Sequence, residues 1–221
     1  MIQLLGKVPN NIWVAVSGGP DSMAALDFLN NGRRNVGVLY FNHCTEHGYE
    51  AKKFVRNYCL HRGIGLLDDR VRGKKPDGVS WEEFWRNERY AYFKSHSDRP
   101  IVTAHHLNDV VEWWLMSSMH GEGKLIPQEN DEYNVIRPFL TTPKRDLVDW
   151  CDRKNVPYLI DPSNESRDHM RNVTRHDIMP HVLKVNPGIE KVLKKKVKLV
   201  FDMRKKLCKN RPHEVSLKHK E

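Results

Sequence analysis

Short apolar runs alternate with helix-period stretches through the first half of the chain. Residues 12–16 (IWVAV) read as a buried strand that leads into Ser-Gly-Gly-Pro-Asp-Ser. Met23, Ala24, Leu26, Phe28 and Leu29 then recur at helical spacing, closed by Asn30, Asn31 and Gly32. Residues 36–41 (VGVLYF) form a second apolar run, 47–62 carry helical periodicity, and 64–71 read as a third strand. A helix over 80–95, a strand over 101–104 and a helix over 107–119 follow. The strand runs are continuously apolar rather than alternating, so both of their faces are expected to be buried. The pattern predicts an α/β protein with a twisted parallel sheet and helices on both faces.

Gly121, Gly123, Pro127 and Pro138 make 120–142 a loop region with one short strand. Beyond Pro143 the chain reads as helical over 143–154, 167–182 and 188–207, punctuated by Pro157, Pro162, Pro180 and Pro187. A soft boundary falls near residue 184, dividing a unit over 1–183 from a basic amphipathic helix and tail over 184–221. Within 188–207, Ile189, Val192, Leu193, Val197, Val200 and Leu207 are expected to share a docking stripe. Lys191, Lys194, Lys195, Lys198 and Lys205 fall on another face, a ladder of ammonium groups about one helical turn apart.

Charge sharpens that picture. The net charge is +9. Residues 184–211 hold eleven Lys/Arg against two Asp/Glu, while the rest of the chain balances. Such a block suits a polyanion, and nucleic acid is the commonest. The four cysteines form no C-x-x-C pair, which argues against a zinc ribbon, an iron–sulfur site or a disulfide framework. Reduced, mostly buried thiols are expected. No apolar run reaches 18 residues and the N-terminus lacks a signal-peptide layout, so a soluble cytoplasmic protein without a membrane partner is expected.

Ser17-Gly18-Gly19-Pro20-Asp21-Ser22 is the strongest chemical signal. A strand ends, two glycines allow close backbone approach, and a helix begins with unpaired N–H groups and a favourable dipole. Phosphate binds well in such a place. Pro20 suits a helix start, and Ser17 and Ser22 offer hydroxyl donors. Asp21 beside a phosphate calls for a divalent cation between the two. The lysine of a Walker A loop is missing. The stretch resembles the SGGxDS signature of PP-loop ATP pyrophosphatases, which cleave ATP between the α- and β-phosphates.

Three further stretches resemble the tRNA(Ile)-lysidine synthase family, with a likeness running from about residue 10 to 188. Residues 82–90 (EEFWRNERY) look like E-x-x-A-R-x-x-R-Y, with Trp85 in place of the alanine. On a helix Glu82, Arg86 and Arg89 would share one face, and Trp81, Phe84, Trp85 and Tyr92 the core-facing side. Residues 103–112 (TAHHLNDVVE) resemble T-A-H-H-x-x-D-x-x-E, placing His105, Asp109 and Glu112 at a strand–helix junction. Helical geometry from residue 106 would bring Asp109 within one turn of His105. Arg137-Pro138, Lys144-Arg145, Asp161 to Asn164, and the run Arg171, Asn172, Arg175 and Pro180 match R-P-L-L, K/R-R, D-P-S-N and R-N-x-x-R-x-x-x-x-P. Read alone, Arg171 and Arg175 suit phosphate contacts or pairing with acids such as Asp168.

The resemblance implies a PP-loop ATP-binding catalytic unit over 1–183, with Ser17 to Ser22 holding the pyrophosphate end of ATP. Asp21 and Asp109 would organise Mg²⁺, and Asp21, His105 and Asp109 would act in catalysis. Arg86, Arg89, Glu112, Arg137, Arg171, Asn172 and Arg175, with Lys191, Lys194, Lys195 and Lys198, would contact substrate or tRNA. The implied reaction adenylates C2 of a wobble cytidine and replaces its oxygen with the amine of free lysine. Typical members continue into C-terminal tRNA-recognition domains, which leaves tRNA selection to the basic helix or a partner. A homodimer is compatible with the sequence. The rivals are a tRNA-thiolating PP-loop enzyme, an amide-forming ATP pyrophosphatase, and a non-catalytic tRNA-binding PP-loop protein.

Overall fold

The computed structural model describes residues 1–209, with backbone alone at 208 and 209. The basic tail beyond 209 lies outside the described residues. A six-stranded sheet carries the order β3-β2-β1-β4-β6-β5. Its strands are β1 Asn11–Ala15, β2 Asn35–Asn42, β3 Gly65–Arg70, β4 Ile101–Val102, β5 Glu129–Asn130 and β6 Val135–Ile136. Every pairing is parallel except β5 with β6. The single short strand expected in 120–142 is therefore two, joined through a short 3₁₀ turn at Asp131–Tyr133.

The helices are α1 Pro20–Asn31, α2 Glu46–Arg62, α3 Trp81–Lys94, α4 Leu107–Met119, α5 Lys144–Lys154, α6 Met170–Val173, α7 Met179–Val185 and α8 Ile189–Lys209. Alternation along β1 sorts them into layers. Ile12 and Val14 face the core formed with α1, α2 and α5, whereas Trp13 joins Tyr90, Tyr92 and Phe93 of α3 on the opposite face. Trp13 lies so close over Gly37 that a Cβ there would sit 2.1 Å from its ring, so glycine is required in the middle of β2. Asp27, buried in α1, ties three helices together, accepting from Tyr58 Oη of α2 at 3.2 Å and Trp150 Nε1 of α5 at 2.9 Å.

Local caps set the helix starts. Thr45 and Ser80 accept from Gly48 and Glu83 N–H at the heads of α2 and α3. The helix expected over 167–182 forms as one helical run over 170–185, starting later than expected and carrying a π-type stretch. Residues Pro162–Glu165 make a 3₁₀ turn, and the π-type turn at Thr174–Ile178 joins α6 to α7. Pro180 has no N–H to give, so the helical ladder is interrupted where α7 begins.

A second core joins α4 to α8 through Val110, Val111, Leu140, Met179, Ile189, Leu193 and Val197. The docked stripe is narrower than its sequence implies. Val192, Val200 and Leu207 are exposed, because Ile189, Leu193, Val197 and the half-buried Phe201 follow one four-residue ridge onto α4. Among the described residues, no helix is long and apolar enough to cross a membrane.

Candidate active site

Strand order reverses direction at β1: the chain moves outward through β2 and β3, then crosses back to β4 on the other side. The crevice beyond the C-terminal ends of β1 and β4 is thus the switch point, where open α/β sheets bind ligands. Both α1 and α4 begin there.

The loop from β1 to α1 is shaped by its own side chains. Ser22 Oγ donates to Gly19 O at 3.0 Å and accepts from Ser17 N at 3.2 Å. Ser22 therefore staples the turn, and the hydroxyl left exposed is that of Ser17. Gly18 adopts φ +90°, a conformation that favours glycine. Pro20 occupies the first helical turn, and no side chain caps α1. The N–H groups of Asp21 and Ser22 thus lie at an uncapped, electropositive helix start. Leu159 N–H donates to Gly18 O at 2.9 Å, pinning the loop from outside.

Asp21 projects from this helix start toward α4. Its Oδ2 lies 3.5 Å from His106 Nε2 and 3.8 Å from Lys144 Nζ, while Oδ1 is buried without a partner. His106 is the N-cap of α4 and forms a capping box with Asp109: His106 N–H donates to Asp109 Oδ2 at 2.8 Å, and Asp109 N–H donates to His106 Nδ1 at 3.3 Å. The helix starts at Leu107, as the spacing suggested, with His106 outside it as the N-cap. His106, not His105, is accordingly the imidazole that reaches Asp109. Burial favours the neutral ring, yet Asp109 and Asp21 outweigh it and raise the His106 pKa.

His105 is in a different situation. Its Nδ1 meets Thr103 Oγ1 at 2.8 Å, and burial, aided by Arg137, Arg171 and Arg89 against Asp109, lowers its pKa to about 3. Burial works to raise the Asp109 carboxyl, but His106, Arg171 and His105 with the His106 N–H hold it well below the carboxylate range.

Arg171 and Arg175 project together onto α4, where they meet acids other than Asp168. Arg171 donates through Nε to Glu112 Oε2 at 3.0 Å and through Nη2 to Asp109 Oδ1 at 2.5 Å. Arg175 grips Glu112 in a fork, at 2.8 and 3.0 Å. Asn172 is buried and donates to Ser163 O at 2.9 Å, holding the Pro162–Glu165 turn. Arg137, also buried, donates to Pro127 O and Tyr90 Oη. Arg86 is exposed above the Tyr90 ring. Arg89 is half-buried, and burial lowers its pKa, with Arg86 and Arg171 as like-charged neighbours.

Asp109 thus has both oxygens engaged, whereas Asp21 retains an unpartnered one. Among the described residues, no cluster of three or more His, Cys, Asp or Glu forms a ready-made metal cage. A lone carboxylate with bound phosphates is nevertheless a common Mg²⁺ arrangement, and Asp21 fits it.

On α8, Lys191, Lys195 and Lys198 are exposed, and Lys194 reaches Gln3 Oε1 at 3.2 Å. Asn108 donates to Glu190 Oε1 at 3.0 Å, so this ladder starts beside the head of α4. Asn108 Oδ1 also accepts from Lys144 N–H at 2.8 Å and sets the start of α5. His106 and Lys144 are the neighbours of Asp21 to which sequence reasoning gave no role. The three-residue spacing of His106 and Asp109, typical of a capping box, was the available signal.

The PP-loop domain model matches residues 2–182. The chain belongs to the PP-loop domain family. Among curated relatives, the tRNA(Ile)-lysidine synthase of Aster yellows witches'-broom phytoplasma is 29% identical over 76% of this chain and 41% of its own length. That of Persephonella marina is 30% identical over 82% of this chain and 43% of its own length. The chain therefore spans less than half of each of these two relatives. The U34-tRNA thiolase NcsA of Methanococcus maripaludis, solved with its 4Fe–4S cluster, superposes with a TM-score of 0.69 at 17% identity. It covers 97% of this PP-loop chain and 77% of its own. That likeness speaks for the fold alone.

Proposed function

We propose that this PP-loop protein is an ATP-dependent tRNA-modifying ligase that adenylates C2 of the wobble cytidine of tRNA(Ile) and installs lysine there. The uncapped head of α1, with the unpartnered Asp21 oxygen beside it, carries the reading. The relatives named as tRNA(Ile)-lysidine synthases support the choice of substrate.

In this mechanism the amides at the head of α1 and Ser17 Oγ hold the β- and γ-phosphates, leaving the α-phosphorus open. Asp21 would hold Mg²⁺, which neutralises phosphate charge when bound. The target base leaves its stack to reach the crevice. Its C2 oxygen attacks the α-phosphorus and pyrophosphate departs. The lysine amine then attacks C2, and AMP leaves with the former base oxygen.

His106 fixes Asp21, and Lys144 adds positive charge on the phosphate side. His105, with a pKa near 3, is neutral at neutral pH and a weak base. Its role here is to orient the incoming amine, whose proton passes on to water. Arg89, half-buried and in no ion pair among the described residues, is assigned to the substrate's phosphate. Arg171 and Arg175 act by holding Asp109 and Glu112. Lys191, Lys194, Lys195 and Lys198 track the RNA backbone.

Incubation with ATP, radiolabelled lysine and an unmodified tRNA(Ile) transcript tests the reading. Label enters the RNA with matching release of AMP and pyrophosphate if it holds. Pyrophosphate release without label in the RNA would instead favour a different nucleophile.

A further inference from the structure

A cavity of about 610 Å³ opens between the loop after β2 and the loop leading into α3. None of its lining residues belongs to the phosphate loop. Three rings form a row along it. His43 packs at a tilt against Trp85, with centroids 5.4 Å apart and 40° between planes, and Trp85 against Trp81 at 5.4 Å and 34°. The row starts at the C-terminal end of β2 and runs outward to Trp81.

A purely structural cluster would close its outermost ring. Trp81, expected on the core-facing side of α3, is instead 52% exposed. Its neighbours in the cavity are cationic: Lys74 and Lys75 line the rim, and Lys75 Nζ lies 5.6 Å from the Trp81 ring centroid. Lys75 is held there by donating to Val79 O at 2.8 Å. At the inner end, burial, aided by Arg89, lowers the His43 pKa to about 4, so that ring is uncharged at neutral pH.

A row of exposed aromatic rings flanked by lysines is an arrangement that proteins use for unpaired nucleotides: the rings take the base and the ammonium groups take the phosphate. A solvent-open platform beyond the C-terminal end of β2, lined by none of the phosphate-loop residues, suits a strand arriving from outside. We infer that Trp81, Trp85 and His43, with Lys74 and Lys75, form a stacking subsite for an unpaired nucleotide of the RNA substrate next to the one being modified. This inference rests on the tRNA-modifying reading given above.

Three variants test it: Trp81→Ala, Trp85→Ala and Trp85→Phe. Each is titrated with an unmodified tRNA(Ile) transcript and separately with ATP. Losing one stacked base is expected to weaken transcript binding roughly 5- to 100-fold in both alanine variants. ATP affinity stays at the wild-type value, and Trp85→Phe, which keeps a ring and the local packing, binds the transcript nearly as well as wild type. Unchanged transcript affinity in both alanine variants overturns the subsite. So does a fall in ATP affinity with transcript affinity intact, which makes the adenine of ATP the occupant. If the wild-type protein binds no transcript, the tRNA reading itself fails and the subsite falls with it.

Discussion

His106 Nε2 lies 3.5 Å from Asp21 Oδ2, and the ring's other nitrogen is committed to the amide of Asp109. This contact joins the heads of α1 and α4 across the switch point. It fixes which Asp21 oxygen is occupied and which is open.

Removing the contact should disturb catalysis more than folding. His106→Asn is expected to slow pyrophosphate release roughly 10- to 100-fold, the usual loss when an outer partner of a metal-holding carboxylate is removed. Asp21→Ala should abolish pyrophosphate release while transcript binding persists. Stopped-flow pyrophosphate assays with parallel RNA titrations check both. Undiminished turnover in Asp21→Ala contradicts the role given to the loop.

The forked pair of Arg175 and Glu112 is a stability element. Glu112 is 4% exposed and accepts from two guanidinium groups. Glu112→Ala is expected to cost about 3 kcal/mol, the low end for a broken buried pair, since Arg171 is partly solvated and can rehydrate. Urea unfolding measures it. A loss below about 1 kcal/mol would class the pair with surface salt bridges.

The framework was legible because β1 and β2 are continuous apolar runs; β3, GLLDDR at the sheet edge, is not one, and α1 between β1 and β2 carries no side-chain cap. Ser17 to Ser22 was legible because so few residue combinations suit a phosphate turn. Other features depended on long-range packing. Whether Arg171 and Arg175 meet phosphate or carboxylate is decided by Glu112, which lies far away in sequence. Trp81 and Val192 were assigned to buried faces by periodicity alone, but periodicity does not say where a neighbouring element ends. Proline at 180 was visible, yet the π-type turn before it was not.

Acid should destabilise the protein in a defined window. The folded-state pKa values of His43 and His105 are lowered from 6.5 to about 4 and about 3. Between pH 6.5 and 4 the unfolded chain takes up protons at these rings and the folded chain does not, so stability falls as pH falls. His106, whose pKa is raised, works in the opposite sense: its contribution is present below 6.5 and is lost as pH rises above it. Unfolding midpoints across this range should decline, and less steeply in His105→Gln. A flat profile contradicts the burial argument.

The lysine ladder predicts a salt effect. Replacing Lys191 and Lys195 with Ala should weaken transcript binding across sequences and reduce the slope of log K against log salt by roughly 1 per lost phosphate contact. An unchanged slope removes the ladder from the RNA interface.

The most direct measurement is a crystal structure with Mg²⁺ and an ATP analogue that resists α–β cleavage. The β- and γ-phosphates are expected against the N–H groups at the head of α1, with the cation on the free oxygen of Asp21. Phosphates seated anywhere else would contradict the account.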